Sequence, residues 1–162
     1  MTLRDQLAIL EKRVRDAARQ DPVCHRLMTM PGVGAVVALT FRSAVDRPER
    51  FSSSKAIGPC FGLTPRRYQS GETDRTGTIS RAGDPSVRVD LFEAAHVMMT
   101  RVASWSKLKA WAVAVAKRRG AKRAKVALAR KIGVVLHRMW IDGTDFRFTD
   151  KNDRADQMTA TA

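Results

Sequence analysis

Acidic residues are what this sequence is short of. It sets 16 Asp and Glu against 30 Lys and Arg, a formal net charge of +14. Between Ala94 and Ile141 there is no acid at all, while twelve Lys or Arg fall there. With so few acids the chain lacks the carboxylate cluster that would hold Mg²⁺ for nuclease work. A solvated face normally mixes signs, so a single-sign run of this length points to a polyanionic partner, a nucleic-acid backbone before a membrane surface.

Other absences narrow the class further. Only two cysteines occur, Cys24 and Cys60. They make neither a zinc spacing nor a disulfide framework, and read as idle thiols of a reducing compartment. No run reaches the ~18 apolar residues of a membrane span. Arg4 and Asp5 stand where a signal peptide needs its apolar region. A cytoplasmic protein with no membrane partner is expected. There is no Walker-type loop and no GxSxG elbow. His25, His96 and His137 are scattered, and a single Glu93-x-x-His96 is too little for a carboxylate metal site, so no metal ligand is assigned. Aromatic content is 6%, which leaves the core to Ala, Val, Leu and Met; Trp105, Trp111 and Trp140 are expected to pack helices together.

What is present is mostly helical spacing. Leu3, Leu7, Leu10, Val14 and Ala17 recur at 4-3-4-3 over residues 2–20, a narrow stripe suited to a coiled coil or to an ordinary packed helix. Asp21-Pro22 gives a cap and a first-turn proline for a helix from Val23 to Thr29. Met30-Pro31-Gly32-Val33-Gly34 then leads into a helix over AVVALTFRSAV. Helix, glycine turn, helix is the pattern of a helix-hairpin-helix, in which Gly32 and Gly34 leave backbone N–H groups for a phosphate. Ser52 to Ser54 can cap a bent helix reaching about Leu63. Asp84-Pro85 caps a helix from Ser86 to about Ala103, Ser104 caps the next to Arg119, and a last helix covers Ala121 to Trp140. The fold expected is all-α: a helical domain over residues 21–148, a coiled-coil-like helix over 1–20 and a disordered tail over 149–162.

Between the helices lies LTPRRYQSGETDRTGTISRAGDPSVR, Leu63 to Arg88. Arg66, Arg67, Arg75, Arg81 and Arg88 surround small hydroxyl residues, and Gly71, Gly77 and Gly83 let the backbone turn. The stretch reads either as a solvated loop or as a phosphate site, since guanidinium forks match phosphate oxygens and a hydroxyl among them is a nucleophile. A short hairpin from Arg67-Tyr68 to Thr78-Ile79 is plausible across the glycines. Lys117, Arg118, Arg119, Lys122, Arg123 and Lys125 form the densest basic cluster and are expected to contact nucleic acid.

The order MPGVGAVVALTF, then KAIGPCFGLTPRRYQSGETDRTGTISRAGDPSVR, then LHRMWIDGTDFRF resembles the C-terminal transposase domain of the insertion-sequence 110 family, bridge-RNA-guided recombinases. The resemblance implies a DNA transposase in two parts. A RuvC-like domain with four carboxylates holds Mg²⁺, and this domain supplies a serine that attacks a DNA phosphate and forms a phosphoserine. It implies DNA and a structured guide RNA as partners, and a homo-oligomer at full length. The family's nucleophile falls on Ser70 of Gln-Ser-Gly, with Ser80 of Ile-Ser-Arg as the rival. The carboxylate domain is not among these residues. The chain is then expected to be a separated domain, a truncated gene copy or half of a split enzyme, and to need that domain's metal for cleavage; the other reading is a non-catalytic basic module.

Overall fold

The computed structural model describes residues 2–70 and 73–148, with the backbone alone over 67–70 and 73–76. The described residues form seven α-helices and one two-stranded sheet. The helices are α1 (Leu3–Gln20), α2 (Pro22–Leu27), α3 (Ala35–Val45), α4 (Ile57–Cys60), α5 (Pro85–Thr100), α6 (Lys107–Arg119) and α7 (Ala121–Asp142). The strands β1 (Pro65–Ser70) and β2 (Thr73–Ile79) make an antiparallel hairpin between α4 and α5. The all-α reading and the small hairpin both hold. The proposed tail lies outside the described residues.

Local capping chemistry starts the helices. Thr2 and Asp5 close a capping box at α1. The Thr2 N–H, and then its hydroxyl, hold the Asp5 carboxyl below the usual carboxylate range. Asp21 accepts from the N–H groups of Val23 and Cys24 at 2.8 and 3.0 Å, with Pro22 in the first turn. Asp84 accepts from Ser86 at 2.7 Å ahead of α5, again with proline following. At α6 the cap is Ser106 rather than Ser104: its Oγ accepts from the Lys109 N–H at 3.2 Å. Residues ahead of it are spent on a loop whose end is held by the Lys109 ammonium, which donates to the Val102 carbonyl.

Two further expectations are corrected. The bent helix to Leu63 is instead a 3₁₀ turn, Ser54–Ala56, followed by the four-residue α4. Ser54 does not cap it; its Oγ lies 2.9 Å from Nδ1 of His137. Trp105 is not packed between helices but 62% exposed, with the Lys109 ammonium 5.5 Å from its ring centre. Trp111 and Trp140 do lie against the core.

Helix α7 is what the rest packs on. Leu128, Ile132 and Leu136 are fully buried, together with Leu91 and Met98 of α5, Ile57 of α4, Phe41 of α3 and Leu27 and Met30 around α2. Each such side chain contributes about 1.5–3 kcal/mol over leaving it in water. His137 is buried too, and is satisfied on both nitrogens, by Ser54 and by the Pro48 carbonyl at 3.0 Å. Arg42 of α3 ties three elements: it meets Asp21 at 3.6 Å, the Asp46 carbonyl at 2.9 Å and the Trp140 ring at 4.7 Å. The first turns of α1 are not covered: Leu3, Leu7 and Leu10 are exposed, and burial begins near Ala18.

Two outcomes follow for the folded chain. Gly83 has φ +74° and a Cβ there would stand 2.0 Å from the Cys60 carbonyl oxygen, whereas Gly120, at φ +83°, has nothing within 4 Å. Gly83→Ala, which adds a backbone clash to strain, is expected to cost about 3–5 kcal/mol and Gly120→Ala, strain alone, about 1–3, read as urea midpoints; a cost at Gly83 no larger than at Gly120 would contradict the packing. Burial, then the nearby Asp21, push the Cys24 thiol up to about 11, while Cys60 is exposed. Only about one Cys24 in a thousand is then thiolate at pH 8. Iodoacetamide followed by peptide mapping is expected to label Cys60 and spare Cys24 until the pH approaches its raised value.

Candidate nucleic-acid interface

The hairpin is fastened at its foot. Gly62 (φ +65°) and Gly83 (φ +74°) let two backbone segments touch: a Cβ on Gly62 would stand 2.3 Å from Ala82 N and O. Ser80 donates its N–H to the Thr64 carbonyl at 2.9 Å, and Arg81 to Gly62 at 3.1 Å. Arg81 takes φ +56°, a conformation unusual for a side-chain-bearing residue and held here by that bond. Arg88 Nη1 donates both to the Phe61 carbonyl at 3.1 Å and to the Ala82 carbonyl at 2.9 Å. Arg66 Nη2 donates to the Ser80 carbonyl at 3.1 Å.

Three of the five arginines singled out from the sequence are therefore gathered at one place. Arg66 and Arg81 are exposed; Arg88 is half-buried and works as a staple between α5 and both ends of the loop. The two serines are separated by the fold. Ser70 ends the ladder far from the foot, its Cα opposite Thr73. Ser80 sits at the foot, with its Oγ 3.5 Å from the Ala82 N–H. Arg67 and Arg75 belong to the ribbon, opposite Thr76 and Tyr68 respectively. The side chains of Ser70, Arg67 and Arg75 lie outside the described residues, as does Gly71 altogether. Sequence reasoning overlooked Gly62, because nothing in its neighbourhood announces that Ala82 will be pressed against it.

Lys117, Arg118 and Arg119 occupy the last turn of α6; Lys122, Arg123 and Lys125 open α7. All but Lys125 are exposed, and none makes an ion pair among the described residues. The two groups sit differently in the helix fields. A cation at a helix C-terminus is favoured, but one at an N-terminus adds to the dipole's own positive end. The N-terminus of α7 starts at Gly120 with no side-chain cap, so its first N–H groups add to the positive potential of the junction. Such a junction attracts an anion more strongly than the net charge alone implies.

The two glycines ahead of α3 part company. Gly32 (φ +88°) lies against α5, where a Cβ would stand 2.6 Å from the Ala94 carbonyl oxygen. Gly34 is exposed, opens α3 and leaves it without a side-chain cap.

The described residues do not gather donors for Mg²⁺: no three His, Cys, Asp or Glu come together among them. Among the described residues no helix is long and apolar enough to cross a membrane.

Comparison with known proteins fits this arrangement. The family model for the Transposase IS116/IS110/IS902 family matches residues 24–111, from α2 through the hairpin into α6. The transposase for insertion sequence element IS1111A of Coxiella burnetii is 32% identical over 127 residues, 78% of this chain and 35% of its own length. The transposase for insertion sequence element IS1328 of Yersinia enterocolitica is 28% identical over 143 residues, 88% of this chain and 43% of its own. The chain thus spans well under half the length of these curated relatives. With the clamped hairpin and the helices that carry it inside the matched region, the chain belongs to the Transposase IS116/IS110/IS902 family.

Proposed function

We propose that this chain is the C-terminal part of a DNA transposase, in which Ser70 attacks a DNA phosphate while the basic helices hold nucleic acid. The observation that carries the reading is the clamped hairpin. Ser70 lies at the end of a ribbon whose foot is hydrogen-bonded to Arg88 of α5, which suits a nucleophile that must meet a large substrate. In the step itself the Ser70 oxygen bonds to phosphorus as its proton passes to a base, and the bond from phosphorus to one sugar oxygen breaks, that oxygen taking up a proton and leaving as the sugar hydroxyl of the cut strand. Guanidinium groups of Arg67 and Arg75, on the ribbon that carries Ser70, stabilise the charge that builds on the phosphate oxygens, while Arg66 and Arg81, at the foot, contact phosphates further along the nucleic acid. Ser80 is the rival nucleophile, its backbone held in the foot and its Oγ 3.5 Å from the Ala82 N–H.

Lys117, Arg118, Arg119, Lys122, Arg123 and Lys125 bind DNA or a structured guide RNA through the backbone, and Gly34 offers the open start of α3 to a phosphate. Sequence choice then rests with pairing in the guide. The family's Mg²⁺ belongs to a carboxylate domain outside these residues, and assembly into an oligomer belongs to the longer protein. The exposed Leu3, Leu7 and Leu10 stripe on α1 suits a coiled-coil partner there.

The deciding experiment is a covalent-adduct assay. The chain is mixed with branched DNA, matching guide RNA, Mg²⁺ and a family carboxylate domain, then denatured. A protein–DNA species that disappears in Ser70→Ala and persists in Ser80→Ala is expected. The reverse pattern moves the nucleophile to Ser80, and no species in the wild type alongside clear DNA binding leaves a non-catalytic binding module. Binding is checked separately. Lys122→Ala with Arg123→Ala is expected to reduce the slope of log affinity against log salt by roughly 0.9 per lost duplex phosphate contact. An unchanged slope removes the α6–α7 junction from the interface.

A further inference from the structure

We propose that Arg130 is the contact through which a nucleic-acid backbone lying along α7 passes onto the foot of the hairpin. The inference rests on the nucleic-acid reading above and adds to it the residue that joins its two halves.

One stripe of α7 faces the segment that leads to the hairpin. His137 meets Pro48 and Ser54, and Gly133 meets Ile57 of α4 and Leu91 of α5. Arg130, one turn earlier, meets Gly58. A Cβ on Gly58 would stand 3.0 Å from Nε of Arg130, 3.2 Å from Cγ and 3.4 Å from Cδ. The arginine stem therefore packs directly on the bare backbone of Gly58, where a methyl would push it outward by a few tenths of an ångström. That same turn is tied to the hairpin: the Gly58 carbonyl accepts from the Leu63 N–H at 2.9 Å, and the Phe61 carbonyl accepts from Arg88.

Arg130 is exposed and makes no ion pair or hydrogen bond among the described residues. Its stem is located by packing while its fork of donors stays open, which lowers the ordering cost of gripping a phosphate. Arg123 of the basic junction lies seven residues earlier on the same stripe, about 10.5 Å along the axis. A backbone held at the junction thus meets Arg130 next and the clamped foot, with Arg66 and Arg81, after it. The class of ligand is a nucleic-acid phosphodiester, recognised without reading sequence.

The test is fluorescence anisotropy of the chain with a labelled DNA duplex over a range of salt. Variants are Arg130→Ala, Arg130→Lys, Gly58→Ala, the double Gly58→Ala/Arg130→Ala, Lys122→Ala with Arg123→Ala, and Arg13→Ala on exposed α1 as a charge-loss control. Arg130→Ala is expected to weaken binding about three- to tenfold and to lower the salt slope by roughly 0.9. Gly58→Ala keeps the charge but pushes the stem by a few tenths of an ångström off its seat. It is expected to weaken binding alone and to add little on top of Arg130→Ala. Arg130→Lys keeps the charge without the fork and is expected to fall between. Arg130→Ala behaving like Arg13→Ala while Lys122→Ala with Arg123→Ala weakens binding overturns the role of Arg130 and leaves the junction intact. If none of these variants moves affinity or slope, the nucleic-acid reading itself fails. Should Gly58→Ala not fold, the Arg130→Ala and Arg130→Lys pair decides.

Discussion

The close approach of other segments to α7 is the constraint on which the remaining structure depends. At Gly133 a Cβ would stand 3.1 Å from Ile57 and 3.3 Å from Leu91, so the helix is bare where α4 and α5 press hardest. One turn further on, the buried His137 holds the segment before α4 with both ring nitrogens. The Pro48 carbonyl can only accept, so Nε2 carries the hydrogen, and in the neutral ring Nδ1 accepts from the Ser54 hydroxyl. Bulk at Gly133 would press on Ile57 of α4 and Leu91 of α5. The hairpin foot rests on α4, and so the site depends on a buried face some distance from it.

Charge is arranged on the same scaffold at a cost. Lys122, Arg123 and Lys125 stand at the N-terminus of α7 where the helix dipole opposes them, and no acid among the described residues pairs with them. A domain selected for stability alone would place acids there. By contrast, ion pairs among the described residues serve the fold: Glu11 with Arg15 and Arg138 with Asp142 brace single helices, Asp21 with Arg42 locks α2 to α3, and Arg26 with Asp145 ties α2 to the segment after α7. On the reading proposed here, the cations left unpaired at the junction of α6 and α7 are the ones that hold a polyanion.

Membership in the transposase family gives these features a common setting. The matched region runs across the hairpin and the helices that fasten it, while the chain covers well under half of its relatives' length. On the reading proposed here, the hairpin is presented to a nucleic acid by a basic helical body, and the metal chemistry is supplied from elsewhere in the longer protein.

Much of this was legible along the chain, because helix starts and stops are local events. Asp21-Pro22, Asp84-Pro85 and Gly120 act on groups a few residues away, and the helices they bound fall where their spacing puts them. The absence of acids from Ala94 to Ile141 is likewise a property of composition and carries over to the surface unchanged. The hairpin was visible as glycines between short polar strands. What could not be read are the meetings between distant residues. Ser54 looks like a helix cap and is taken by His137, and Trp105 looks like core but lies outside it. Gly62 against Ala82, Gly83 against Cys60 and Gly58 under Arg130 are contacts of the same kind. Each depends on how two backbones are brought together by burial elsewhere, and burial is a property of the packed whole that no short window of residues contains.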